Sequence, residues 1–75
     1  MTNLNRMIVR FLRTDGSYTR FERDARGYIS IIERGKEFNN VVIPGSLTLF
    51  NNMVDAFEKE GVYVTKEVTY SYNKE

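Results

Sequence analysis

The stretch from residue 43 to 61, IPGSLTLFNNMVDAFEKEG, constrains the fold more than any other part of the chain. It reads as a helix, and both of its boundaries are present. Pro44 and Gly45 break whatever precedes them. Ser46 is placed as N-cap, its hydroxyl accepting from a free N–H of the first turn. Gly61 follows the last periodic residue, where a left-handed position suits glycine best. Leu47, Phe50, Met53, Val54 and Phe57 form one apolar stripe, and the two phenylalanines are expected to be buried. Asn51, Asn52, Asp55, Glu58 and Lys59 take the opposite face. One helix cannot bury its stripe alone, so the rest of the chain must supply the surface beneath it.

That rest reads as strand. Residues 1–5 are polar and expected to be loose. Residues 6–13, RMIVRFLR, put Met7, Val9 and Phe11 on one face and Arg6, Ile8, Arg10 and Leu12 on the other. Asp15-Gly16 signals a hairpin of type I′. A second strand over 17–24 sets Thr19, Phe21 and Arg23 against Tyr18, Arg20 and Glu22. Ala25-Arg26-Gly27 turns the chain into a third strand, 27–34, where Ile29 and Ile31 alternate with Tyr28, Ser30 and Ile32. Gly35-Lys36 leads to a fourth, 37–43, with Val41 and Ile43 opposite Phe38, Asn40 and Val42. After the helix, residues 62–70 read as a fifth strand, either an edge or an arm reaching a partner subunit. There Val62, Val64, Val68, Tyr70 and Tyr72 alternate with Tyr63, Thr65, Glu67, Thr69 and Ser71. Lys66 interrupts the apolar series, and Lys74 and Glu75 are expected to fray. The fold class is α+β: a four-stranded antiparallel meander followed by one helix (ββββα), with an extra C-terminal strand.

Seventy-five residues make one domain, 1–75, with its core in 6–61. A chain of this size buries only roughly 60% of its unfolded surface and is marginal alone. There are no cysteines and no histidines, which removes disulfides and the usual structural zinc ligands. Oligomerisation remains, and a homodimer is the expectation. No apolar run approaches the ~20 residues needed to span a bilayer, and no signal-peptide core precedes the domain. A cytoplasmic protein, free or on the nucleoid and without a membrane partner, is expected; the size suits a phage or mobile-element product.

Catalysis has little support. The common general base and the thiolate nucleophile are absent. Glu22-Arg23-Asp24 and Glu33-Arg34 read as surface charge pairing. Gly27, Gly35 and Gly45 are isolated turn glycines rather than a phosphate loop. No carboxylate cluster suggests a metal, and no cofactor is expected. A non-enzyme follows.

Charge is more informative. Net charge is +1, yet residues 1–36 hold eight Lys/Arg against four Asp/Glu, and residues 37–75 hold three against six. Arginine dominates the basic half: Arg6, Arg10, Arg13, Arg20, Arg23, Arg26 and Arg34. Arginine takes phosphate bidentately and stacks on flat rings. The meander's face away from the helix is not plainly polar. It carries Tyr18, Tyr28, Ile32, Phe38 and Val42 beside Arg10, Arg20 and Ser30. So much apolar surface is rarely left to water, and either a second chain covers it or bases stack on it. Phe38 has a competing place in a dimer core, whereas the Tyr28 hydroxyl tolerates a wet surface. Arg10 and Arg20 divide between solvated charge and phosphate contact.

Residues 18–57 resemble a single PUR repeat and the wider group containing the PC4-like and Whirly single-stranded DNA-binding proteins. The corresponding features are Tyr18-x-x-Phe21, the strand Arg26-Gly27-Tyr28-Ile29-Ser30-Ile31 and its Glu33-Arg34 end. Val42-Ile43-Pro44 then leads into a helix bearing Phe50 and Phe57. The resemblance implies two intertwined ββββα units, hence a homodimer, and binding of single-stranded DNA or RNA through the sheet. It carries Tyr18, Arg20, Tyr28 and Ser30 over as contacts; the basic and aromatic pattern adds Arg10 and Phe38. The tail after Gly61 departs from such a repeat, and could cap the sheet or occupy its binding face. A rival expectation is a small inhibitor or adaptor that docks on a host protein through its helix face or tail strand.

Overall fold

A computed structural model describes the backbone of residues 2–74 and the side chains of residues 6–70. Five strands and one helix follow in chain order: β1 (Thr2–Leu12), β2 (Tyr18–Asp24), β3 (Tyr28–Arg34), β4 (Phe38–Pro44), α1 (Leu47–Glu60) and β5 (Thr65–Lys74). The strands form one antiparallel sheet in the order β4-β3-β2-β1-β5. The meander, the helix and the extra strand are therefore as expected.

Both helix boundaries lie where the sequence puts them. Ser46 is extended, and its Oγ accepts from Leu49 N–H at 3.1 Å. Gly61 sits at φ 69° and its N–H donates to the Glu58 carbonyl at 3.1 Å. Gly45 lets the chain enter the helix against the sheet, because a Cβ there would collide with the Ile29 side chain.

The first hairpin differs from expectation, while the tight turn at Ala25-Arg26-Gly27 is where it was expected. A type I′ hairpin needs positive φ at both central residues, but only Gly16 has it, at 86°. Gly16 N–H donates to the Arg13 carbonyl and Arg13 N–H to the Ser17 carbonyl, which makes a three-residue loop closed by a left-handed glycine. Gly27, at φ 89°, sits likewise after Ala25-Arg26, with its N–H donating to the Asp24 carbonyl. One left-handed glycine per loop spares Asp15 and Arg26 a conformation that side chains resist.

The strand ends differ as well. β1 begins at Thr2, so residues 2–5 are not loose: they pair with β5 across an irregularity between Leu4 and Arg6. β5 starts at Thr65 rather than 62 and runs through Lys74, which is paired with Thr2 rather than frayed. Glu75, and the side chains of Tyr72 and Ser71, lie outside the described residues.

The core sits between α1 and one sheet face. Val9, Phe11, Phe21, Ile29, Phe50 and Val54 are buried, with Met7, Ile31, Ile43, Met53, Phe57 and Tyr63 packed around them. Phe11 meets Phe21, Phe57 and Tyr63 with centroids 6.1, 4.7 and 4.8 Å apart, tilted or edge-on, as aromatic rings prefer. Phe57 is thus half-buried rather than buried. Tyr63, expected on the polar side of the tail, is its inward residue, while Val62 and Val64 are exposed. Fourteen helical residues span only about 21 Å, so α1 covers the sheet along one diagonal. It starts beside Ile29 at the β3–β4 side and ends where Glu58 Oε1 meets Lys66 Nζ on β5, at 2.7 Å. Val41 on β4 and Val68 and Tyr70 on β5 share this face and remain exposed at the two uncovered corners.

Thr19 is the one buried polar side chain among the described residues. Its hydroxyl accepts from Arg13 Nη1 at 2.8 Å and donates to Glu33 Oε1 at 2.7 Å. The polar end of the core is thereby satisfied.

Candidate nucleic-acid interface

Strand pairing fixes what the uncovered face presents, since residues of like parity share a face. Register sets four rows across β4, β3, β2 and β1. Phe38, Arg34, Tyr18 and Leu12 form the first; Asn40, Ile32, Arg20 and Arg10 the second. Val42, Ser30, Glu22 and Ile8 form the third; Pro44, Tyr28, Asp24 and Arg6 the fourth. All six residues expected at a binding site, Arg10, Tyr18, Arg20, Tyr28, Ser30 and Phe38, therefore stand on this one face. The tail neither caps the sheet nor lies over this face. β5 extends the sheet in its own plane beyond β1.

Rings and guanidinium groups meet in pairs. Arg10 Cζ lies 5.4 Å from the Tyr18 ring centroid, Arg26 Cζ 5.8 Å from Tyr28, and Arg34 Cζ 5.8 Å from Phe38. These distances suit cation–π attraction. Tyr28 and Phe38 remain 44% and 58% exposed, so each still offers ring surface. Tyr18 and Ser30 are half-buried.

The same arginines carry carboxylate partners. Arg20 Nη2 sits 2.6 Å from Glu22 Oε1, and Arg6 Nε 3.3 Å from the other oxygen of that carboxylate. Arg10 Nε donates to Glu67 Oε1 at 2.7 Å, a contact that exists because β5 lies beside β1. Arg26 Nη2 lies 3.5 Å from Asp24 Oδ2. Asp24 also orders the turn that follows it. Its Oδ1 accepts from Tyr28 N–H at 3.1 Å and Arg26 N–H at 2.9 Å. The Tyr28 amide above all, and then the Arg26 amide, hold its carboxyl below the ordinary carboxylate value. At the first hairpin the Ser17 hydroxyl and amide do the same to Asp15. Glu58 pushes Lys66 above the ordinary lysine value.

Two basic side chains beside this face differ. Among the described residues no carboxylate lies within ion-pair distance of Arg34 or Lys36. They line an open cleft of about 350 Å³ with Gly35 and the opposing hairpin residues Asp15, Gly16 and Ser17. Pattern reading misses both, because it takes Glu33-Arg34 as a local charge pair. Strand geometry carries the informative signal: neighbours on a strand face opposite sides, so Glu33 belongs to the helix side, where it meets Arg13 and Thr19.

No protein-family model, curated protein or solved structure matches this chain.

Among the described residues no group of His, Cys, Asp and Glu could hold a metal ion, and no helix is long and apolar enough to cross a membrane. What the uncovered face offers is flat ring surface, guanidinium groups at ring distance, and hydroxyl and amide groups between them.

Proposed function

We propose that this protein binds single-stranded DNA or RNA, with little sequence preference, on the sheet face that α1 leaves uncovered. The observation that carries the reading is the pairing of arginine with an aromatic ring three times beside or on that face: Arg10 with Tyr18, Arg26 with Tyr28, and Arg34 with Phe38. Stacking platforms combined with positive charge are how single strands are held without reading base edges. Arg10, Tyr18, Arg20, Tyr28, Ser30 and Phe38 are the contact set. Glu22 and Glu67 temper the charge of Arg20 and Arg10, so stacking carries more of the affinity than ion pairing does.

The active form we propose is a homodimer. Its support is apolar surface left open at both corners beside α1, at Val41 and at Val68, together with Leu47 and Leu49 on the helix.

Fluorescence anisotropy with an unstructured oligonucleotide at two salt concentrations tests the binding. Affinity should fall as salt rises. Tyr28→Ala should weaken binding by about 1–3 kcal/mol while leaving the salt dependence nearly unchanged. The substitution leaves the fold intact, because Tyr28 points away from the core. Absence of binding at low salt would remove the reading.

One observation favours a second reading, docking on another protein. β5 is an outer strand of ten residues with Val68 and Tyr70 exposed, a form suited to accepting an added strand. Such a contact is mainly apolar and backbone-mediated, and would withstand salt that releases an oligonucleotide.

A further inference from the structure

The cross-strand row at the hairpin end of the sheet has a feature the other rows lack. By register Arg34 stands directly between Tyr18 on β2 and Phe38 on β4. The backbone positions that carry the two rings are therefore two strand spacings apart, about 9–10 Å. The Arg34 guanidinium lies over the Phe38 ring, and the side chain is exposed. Lys36 follows at the same end, in the cleft between the β1–β2 and β3–β4 turns. Asp15 also faces this cleft, its Oδ1 accepting from the Ser17 N–H at 2.9 Å and the Ser17 hydroxyl at 2.6 Å, and its single negative charge is outnumbered by Arg34 and Lys36. By contrast Arg20, in the centre of the face, has part of its charge offset by Glu22, which it shares with Arg6.

We infer that Tyr18, Arg34, Lys36 and Phe38 form a dinucleotide subsite, in which Arg34 and Lys36 hold the phosphate linking two nucleotides whose bases are splayed apart. This rests on the single-strand reading above and adds to its contact set the two cations, Arg34 and Lys36, that have no carboxylate partner among the described residues. One base lies on the Tyr18 ring and the next on the Phe38 ring. Arg34, planar and exposed, matches phosphate bidentately, and Lys36 adds a second donor from the turn. Rings carried two strands apart, with Arg34 between them, do not hold two bases stacked on one another. A strand must therefore break a stack to bind here, which favours weakly stacking thymine runs over adenine runs.

The test is an anisotropy titration of the full chain with fluorescent oligo(dT) and oligo(dA) across a salt series. Wild type should bind oligo(dT) more tightly. Arg34→Gln should lower affinity about fivefold near 0.1 M salt and reduce the slope of log K against log salt by about 0.7, one contact on a single strand. Lys36→Gln should act in the same direction. Phe38→Ala should weaken binding at least about fivefold with the slope retained. Arg20→Gln, at a contact whose charge Glu22 partly offsets, should lower the slope less than Arg34→Gln does. These four side chains are not in the core, so the variants remain folded, which circular dichroism verifies. A slope lowered by Arg20→Gln and untouched by Arg34→Gln and Lys36→Gln overturns the subsite while leaving single-strand binding in place. An adenine preference equally overturns the splayed arrangement. Failure of wild type to bind either oligonucleotide overturns both readings together.

Discussion

Asp24 shows how much a single side chain holds at the turns. Its carboxylate gathers the Arg26 and Tyr28 amides and so fixes the strand on which Tyr28 is displayed. Its folded pKa lies below the ordinary 3.8, so the deprotonated group stabilises the fold above that value. The contribution disappears as pH falls through the lowered value. Asp15 follows the same rule at its own hairpin. Lys66 obeys the opposite one: its pKa is raised above 10.5, so its contribution is present below that and is lost as pH rises through the higher value. The melting temperature should accordingly be flat from about pH 5 to 9 and decline below about pH 4. Asp24→Asn keeps an acceptor but cannot titrate, and should make the acid decline shallower. An acid limb identical to wild type would mean that Asp24 contributes nothing through its charge. At this scale the sequence yields partners only where they are local. Glu22 lies two residues from Arg20, hence on the same strand face, and is open to inference. Glu67 lies 57 residues from Arg10, and only the docking of β5 brings them together.

The helix is the most legible element, because capping, periodicity and termination all act within a few residues of one another. Ser46, Gly61 and the stripe from Phe50 to Phe57 need no tertiary information. Strand faces are legible for the same reason, and they place the six candidate contacts on one side. Loop conformation is not: a dipeptide such as Asp15-Gly16 suits two hairpin geometries, and the flanking register chooses between them. Nor is the tail, since alternation marks Tyr63 as a strand residue until Phe11 claims its ring. Phe50→Ala and Phe57→Ala test the helix against the sheet. Removing a buried phenylalanine costs about 3–5 kcal/mol, and half-buried Phe57 should lie at the low end. In a small domain either loss approaches the whole stability. Urea unfolding measures it; a change under about 1 kcal/mol for Phe50→Ala would show that α1 does not rest on this core.

Taken whole, the molecule is longer and barer than its mass requires. It measures 41 by 21 by 21 Å, with a radius of gyration of 12.9 Å, against roughly 11 Å for a compact chain of this length. Its accessible surface, 5179 Å², exceeds the roughly 4,800 Å² typical of its mass. Such a shape suits a chain that shares its surface with a second copy. Light scattering on a size-exclusion column should give about twice the 8.8 kDa chain mass, and a monomer at micromolar concentration would exclude the dimer. β1 lies between β2 and the last strand, with Thr2 opposite Lys74. That pairing joins the two most distant parts of the chain. Each hairpin of the meander closes a short local loop, but docking β5 onto β1 requires a loop spanning most of the sheet and the helix. During synthesis β1 therefore emerges before β2 and β5, the strands that flank it, and waits longest for its outer neighbour. Until then its Met7-Ile8-Val9 segment is a bare, apolar sheet edge, the place where a nascent chain of this design is most open to a wrong partner.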